Sequence, residues 1–153
     1  MMPSKAFLLL LACVLCLAVE ACGGESSGGK SSSLPRDAHV AKFRLGHAIG
    51  SDGVVVGEGK PLAKGDKVYV SFAIVDAQPN SQARVTWVTK TGGAKMAEES
   101  KPLPGGAGVV SFAADTTSWE PGDYVVETWV VEPGARGVRR LGTSDFPLGP
   151  ARK

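Results

Sequence analysis

Beyond Leu34 the chain consists of short stretches in which apolar and polar residues alternate, each cut off by clusters of Gly, Pro, Asn and Asp. Alternation with a period of two marks strands with one buried face, and no segment keeps a helical period for a useful length. Lys67 to Asp76 is the clearest case, with Val68, Val70, Phe72 and Ile74 on one face and Tyr69, Ser71, Ala73 and Val75 on the other. Phe43 and Leu45 alternate with Lys42 and Arg44, the turn cluster Gly50-Ser-Asp-Gly53 breaks that run, and Val54-Val-Val resumes it. Arg84 to Lys90 sets Val85, Trp87 and Thr89 against Arg84, Thr86 and Lys90. Ala94 to Pro102 reads as a polar edge strand or a loop, and Val109 to Ala114, Tyr124 to Val131 and Val138 to Leu148 complete the set. About seven strands joined by turns predict an all-β, single antiparallel sandwich over residues 35–150.

All three cysteines of the 153-residue chain, Cys13, Cys16 and Cys22, precede that region. Cys13 and Cys16 are spaced like a redox pair or half a zinc site, but both lie inside the uncharged run Ala6 to Val19, just after Lys5. The run fits a signal-peptide core and is shorter than the roughly 20 apolar residues of a membrane span. Val19-Glu20-Ala21-Cys22 follows it. These residues resemble the lipobox of bacterial lipoproteins, where an aliphatic residue stands three before a cysteine, a small residue directly before it, and the thiol is diacylated. Glu20 departs from the pattern, since that place is usually small and neutral; a secretory cut after Ala21 is the other reading. The resemblance implies a signal peptide over 1–21, lipidation of Cys22 and attachment to a membrane. It leaves the domain no thiol for disulfides, metal binding or nucleophilic catalysis, so its core alone must hold it together. Gly23 stands where an Asp commonly signals inner-membrane retention, which favours the outer membrane in a Gram-negative host.

Residues 22–34 are the lipidated cysteine and a Gly/Ser-rich tether. Gly24 to Ser31 also satisfies the phosphate-binding P-loop expression. That chemistry needs a strand leading in and a helix leading out, so that backbone N–H groups converge on phosphate. Here Ser-Ser-Leu-Pro-Arg follows, and no nucleotide is expected. Within 35–150, thirteen basic residues stand against thirteen acidic ones. A neutral domain without a basic stripe does not neutralise a phosphate backbone, which excludes nucleic acid as a partner.

Trp87 in a strong strand, Trp119-Glu-Pro-Gly-Asp-Tyr124 opening the penultimate strand and Phe146 in the last one together resemble the immunoglobulin-like sandwich domains of bacterial envelope lipoproteins. Arg44-Leu-Gly46, Asp52-Gly53-Val54 and Asp66-Lys-Val-Tyr69 look like the same group. The resemblance implies structural roles: Pro121-Gly122 makes a tight turn, Tyr124 buries its ring and returns its hydroxyl to the backbone, and Trp87 fills the middle of the sandwich. Val126 takes a place that a disulfide cysteine holds in antibody-type members. Such motifs name a fold and carry no activity.

His39 and His47 are the only histidines, and an extended strand would set them about 26 Å apart at ~3.3 Å per residue, too far to share a metal. No nucleophile elbow is present, and Glu98-Glu99 lies in a polar stretch that reads as solvated. No catalytic residue, metal or other cofactor is therefore expected. On the penultimate strand, inward Tyr124, Val126, Thr128 and Val130 leave Val125, Glu127, Trp129 and Val131 outward, and Tyr69 is outward on its own strand. Val125, Trp129, Val131 and Tyr69 are the candidate binding residues, for an envelope protein or a glycan. The competing reading covers Trp129 with a loop, with residues 53–58, or with the stem of Arg139 or Arg140. Arg136, Arg139 and Arg140 read as an edge-strand guard. The expectation is a lipid-anchored, non-enzymatic binding or scaffolding module of the cell envelope. The alternative is a carbohydrate-binding module, which needs two or three coplanar aromatic faces.

Overall fold

The computed structural model describes residues 37–153. The signal-like run, Cys22, the tether and the P-loop-like segment lie outside the described residues.

Seven strands of eight or more residues carry the architecture: β1 (His39–Gly46), β5 (Lys67–Val75), β6 (Ser81–Thr89), β7 (Lys95–Leu103), β8 (Gly108–Asp115), β9 (Gly122–Glu132) and β10 (Gly137–Gly149). Three two-residue strands join them: β2 (Ala48–Ile49), β3 (Val55–Val56) and β4 (Leu62–Ala63). One sheet runs β1-β5-β8 and the other β4-β10-β9-β6-β7. This is the all-β sandwich that the alternation predicts, with the immunoglobulin-like character that the resemblance implies. Lys95–Leu103 resolves as an edge strand on β6. One pairing departs from the antiparallel expectation: Leu62 and Ala63 run parallel to Leu148 and Gly149. Two residues carry no period, so alternation could not announce them.

The core lies between the sheets. Val68, Val70, Phe72 and Ile74 of β5, with Val110 and Phe112 of β8, meet Ala83, Val85 and Trp87 of β6 and Tyr124, Val126 and Val130 of β9. Burying each large apolar side chain contributes roughly 1.5–3 kcal/mol, which lets a domain without disulfides persist. Phe43, Phe72 and Phe112 stack in series at 6.3 and 5.7 Å. A β-bulge between Ala41 and Arg44, with Lys42 at φ 53°, inserts the extra residue that turns Phe43 towards this stack. Trp87 is fully buried, and its indole N–H finds no acceptor among the described residues.

Tyr124 anchors the corner that its motif implies. Its hydroxyl donates to the Glu120 carbonyl at 2.5 Å, and its ring lies between Trp119 at 5.0 Å and Phe146 at 5.7 Å. Buried Thr116 ties this corner to the turn before β5, donating to the Asp66 carbonyl at 2.8 Å and accepting from the Gly65 N–H. Inside the far end of β9, Glu132 is wholly buried and accepts from the Gln78 N–H and from Arg139, both at 3.0 Å. Arg136 approaches the same carboxylate at 3.9 Å.

Candidate binding face

The two sheets dress their outer faces differently. Over the three-stranded sheet, residues 47–58 fold back as an arm containing the β2–β3 hairpin. Val55 of the arm is 0% exposed, and its N–H donates to the hydroxyl of Ser71 at 2.8 Å. That bond explains why Ser71, outward by parity, is buried. Gly46 permits the close approach: a Cβ there would meet the Val56 carbonyl oxygen at 2.7 Å and Val55 Cγ1 at 2.8 Å. Beside the arm, Lys42, Arg44, Asp52, Val54, Ser71 and Val109 line a cavity of about 190 Å³. A second cavity, about 340 Å³ and largely apolar, lies between Leu45, Pro61, Leu62, Phe146 and Pro147.

The outer face of the five-stranded sheet is built from four cross-strand rows, set by register. Ser100, Arg84, Trp129 and Arg140 stand side by side on β7, β6, β9 and β10. One step along, the row is Pro102, Gln82, Val131 and Val138; on the other side it is Glu98, Thr86, Glu127 and Thr143, and then Lys95, Val88, Val125 and Asp145. The cover over Trp129 is electrostatic. The Arg140 guanidinium lies 5.8 Å from the ring centroid and donates to Glu127 at 3.0 Å. Trp129 is half-buried, and its buried indole N–H has no acceptor among the described residues. Sequence suggests cover by the stem of Arg139 or Arg140; the structure places the Arg140 guanidinium over the ring. On the neighbouring row Glu98 takes Lys95 at 3.5 Å. At the end of the face, the Asp145 carboxylate accepts from Lys90 at 2.6 Å, and that bond holds the Lys90 ammonium above the usual lysine range. Arg84 instead donates to the Ser100 hydroxyl at 3.3 Å, and no carboxylate lies within ion-pair distance of it among the described residues.

The structure therefore divides the four candidate binding residues. Val125, Trp129 and Val131 share this face, half-buried, with exposed Val138 beside Val131. Tyr69 stands between Gly46 and Ala113 on the other sheet and belongs to the opposite outer face. Parity assigns a side chain to one side of its strand but not the strand to a sheet, which is why the four grouped together in sequence. Trp119 is buried in the corner and offers no surface ring. The expected arginine guard also divides: Arg136 and Arg139 converge on Glu132, and Arg140 serves Trp129 and Glu127. The histidines stay apart, His39 beside Asp76 at 3.9 Å and His47 beside Asp66 at 3.7 Å. Among the described residues no three potential metal ligands cluster. Sequence reasoning passed over Arg84 because a charged residue on an outward strand position is ordinary; only its register with Trp129 singles it out.

No protein-family model matches the chain, and no curated protein matches it. Among solved structures, the crystal structure of the C-terminal domain of wzt is similar, with a TM-score of 0.53 and 11% identity over 76% of this chain and 74% of that one. A likeness at that identity is one of fold.

Proposed function

We propose that this chain is a lipid-anchored, non-enzymatic binding module of the bacterial cell envelope, held at the membrane through Cys22 and presenting the outer face of its five-stranded sheet to a partner. The observation that carries the reading is the in-register row Ser100, Arg84, Trp129, Arg140, which sets an aromatic ring and two guanidiniums side by side at the centre of that face. Large aromatic and arginine side chains are the groups most enriched where proteins bind. The lipobox-like Val19-Glu20-Ala21-Cys22 and the Gly/Ser-rich residues that follow support the anchored half of the reading, with the outer membrane favoured in a Gram-negative host. A carbohydrate ligand is the second reading, favoured by the hydroxyl and amide groups of Gln82, Ser100 and Thr143 around Trp129. It would rest on these polar groups, since Trp119 and Tyr69 lie elsewhere and form no aromatic platform with Trp129.

Metabolic labelling of the full chain with an alkyne fatty acid in a bacterial host tests the anchor. Label that disappears in Cys22→Ala supports the reading, and label that persists in that variant contradicts it. Co-sedimentation of the unlipidated Cys22→Ala chain with washed envelopes tests the face. Binding lost on adding Trp129→Ala and kept on adding Val109→Ala, which lies on the other sheet, is the expected pattern.

A further inference from the structure

Resting on that reading of the face, we propose that its ligand is an acidic glycan, whose anionic group is received by Arg84 and Arg140 on either side of Trp129. Charge complementarity selects the ligand class. The rows through Trp129 and Val131 hold two arginines and no acid; on the next row Glu98 takes Lys95 at 3.5 Å and Glu127 takes Arg140 itself at 3.0 Å, which leaves Arg84 as the cation with no carboxylate partner among the described residues and Arg140 as one shared with Glu127. Arg140 is held in place by Glu127 and the indole, with its side chain 54% exposed. Arg84 spends one N–H on the Ser100 hydroxyl and leaves the rest of its fork free for an oxyanion. Neighbouring strands lie ~4.8 Å apart, so the two arginine α-carbons flank Trp129 at about 10 Å from each other, with the anion landing between them.

Topology favours a glycan over a peptide. β6 and β9 are interior strands, paired on both sides, so this face offers an extended peptide no free backbone ladder. It offers side-chain donors and acceptors at strand spacing, comparable to the repeat of a sugar chain. The proposed role of Trp129 is a rigid platform that fixes one guanidinium. Arg84 and Arg140 make the contact.

Affinity electrophoresis of the full chain in mild detergent tests this, with polygalacturonate or neutral dextran in the gel. Wild type is expected to be retarded by polygalacturonate at low salt and not by dextran. Arg84→Gln should weaken that retardation at least five-fold, Arg84→Lys should restore part of it, and Arg44→Gln, on the opposite face, should leave it unchanged. Equal loss in Arg84→Gln and Arg44→Gln would reduce the effect to general charge and overturn the proposal. Absence of retardation by polygalacturonate would overturn it as well. Equal retardation by dextran, abolished by Trp129→Ala, would overturn the acidic class while leaving the binding face standing. The fatty-acid label on Cys22 reports the anchor separately in every case.

Discussion

The outer face of the three-stranded sheet and that of the five-stranded sheet begin with the same problem, a central strand with apolar or aromatic side chains pointing away from the core, and they solve it by different physics. The first is closed by the chain itself, through Val55, its N–H bond to Ser71, and the Cβ-free approach at Gly46. The second is closed by Arg140 over Trp129, an ion pair and a cation–π contact in reach of solvent. The buried backbone and apolar contacts of the first cover are little affected by salt, which acts there only on the flanking pairs Arg44–Glu58 and His47–Asp66, each at 3.7 Å. A guanidinium over a ring is worth about 0.5–1 kcal/mol at exposed sites, and it keeps its remaining N–H groups in reach of solvent and of a ligand. The arm leaves Val109 and its own Val56 exposed on the three-stranded side, so what marks the five-stranded sheet is the row of arginines beside Trp129 and not its exposure alone.

Substitutions can break this contrast in order of size. Val55→Asp sets an unpaired carboxylate at a position that is 0% exposed and is expected to cost about 3 kcal/mol or more in urea unfolding, with residues 47–58 losing hydrogen-exchange protection. Ser71→Ala leaves the Val55 N–H buried without an acceptor and should cost about 1–3 kcal/mol. Arg140→Ala, on the other face, should cost about 1 kcal/mol or less, yet it should raise acrylamide quenching of Trp129 clearly. Molar salt should raise the same quenching in wild type and leave exchange of the buried Val55 N–H unchanged.

The smallest effect concerns pH. Lys90 is bonded to Asp145, which raises its pKa above 10.5, so its contribution to stability is complete below that value and is lost as pH rises through the folded-state pKa. Wild type should therefore exceed Lys90→Met in thermal stability at neutral pH and converge with it in strongly alkaline buffer.

Much of this architecture was legible in the sequence, for identifiable reasons. The inward sets of β5 and β9 followed from alternation, because a strand with one apolar face has a single register that buries it. Tyr124 announced its corner through the resemblance carried by Trp119-Glu-Pro-Gly-Asp-Tyr124, and its hydroxyl does reach the Glu120 carbonyl; the hydrogen-bonded turn, expected at Pro121-Gly122, falls instead at Thr116–Trp119, and Gly122 opens β9. The short parallel strand Leu62–Ala63 and the bulge at Lys42 were not legible, since each depends on a partner strand rather than on local pattern. The face around Trp129 was half legible. Parity placed Val125, Trp129 and Val131 outward, but the row that gives Trp129 its chemistry is made by Arg84 and Arg140, brought beside it by the pairing of three strands.

The most direct test of the central claim, that the five-stranded sheet carries the ligand face, is a map of amide and indole NMR shifts during titration with an acidic oligosaccharide such as oligogalacturonate. Shifts concentrated on Arg84, Trp129 and Arg140, with the Trp129 indole signal moving and those of Trp87 and Trp119 still, are the predicted result. Shifts centred on Lys42, Arg44 and Val109, or an unchanged Trp129 indole at saturation, would contradict the account.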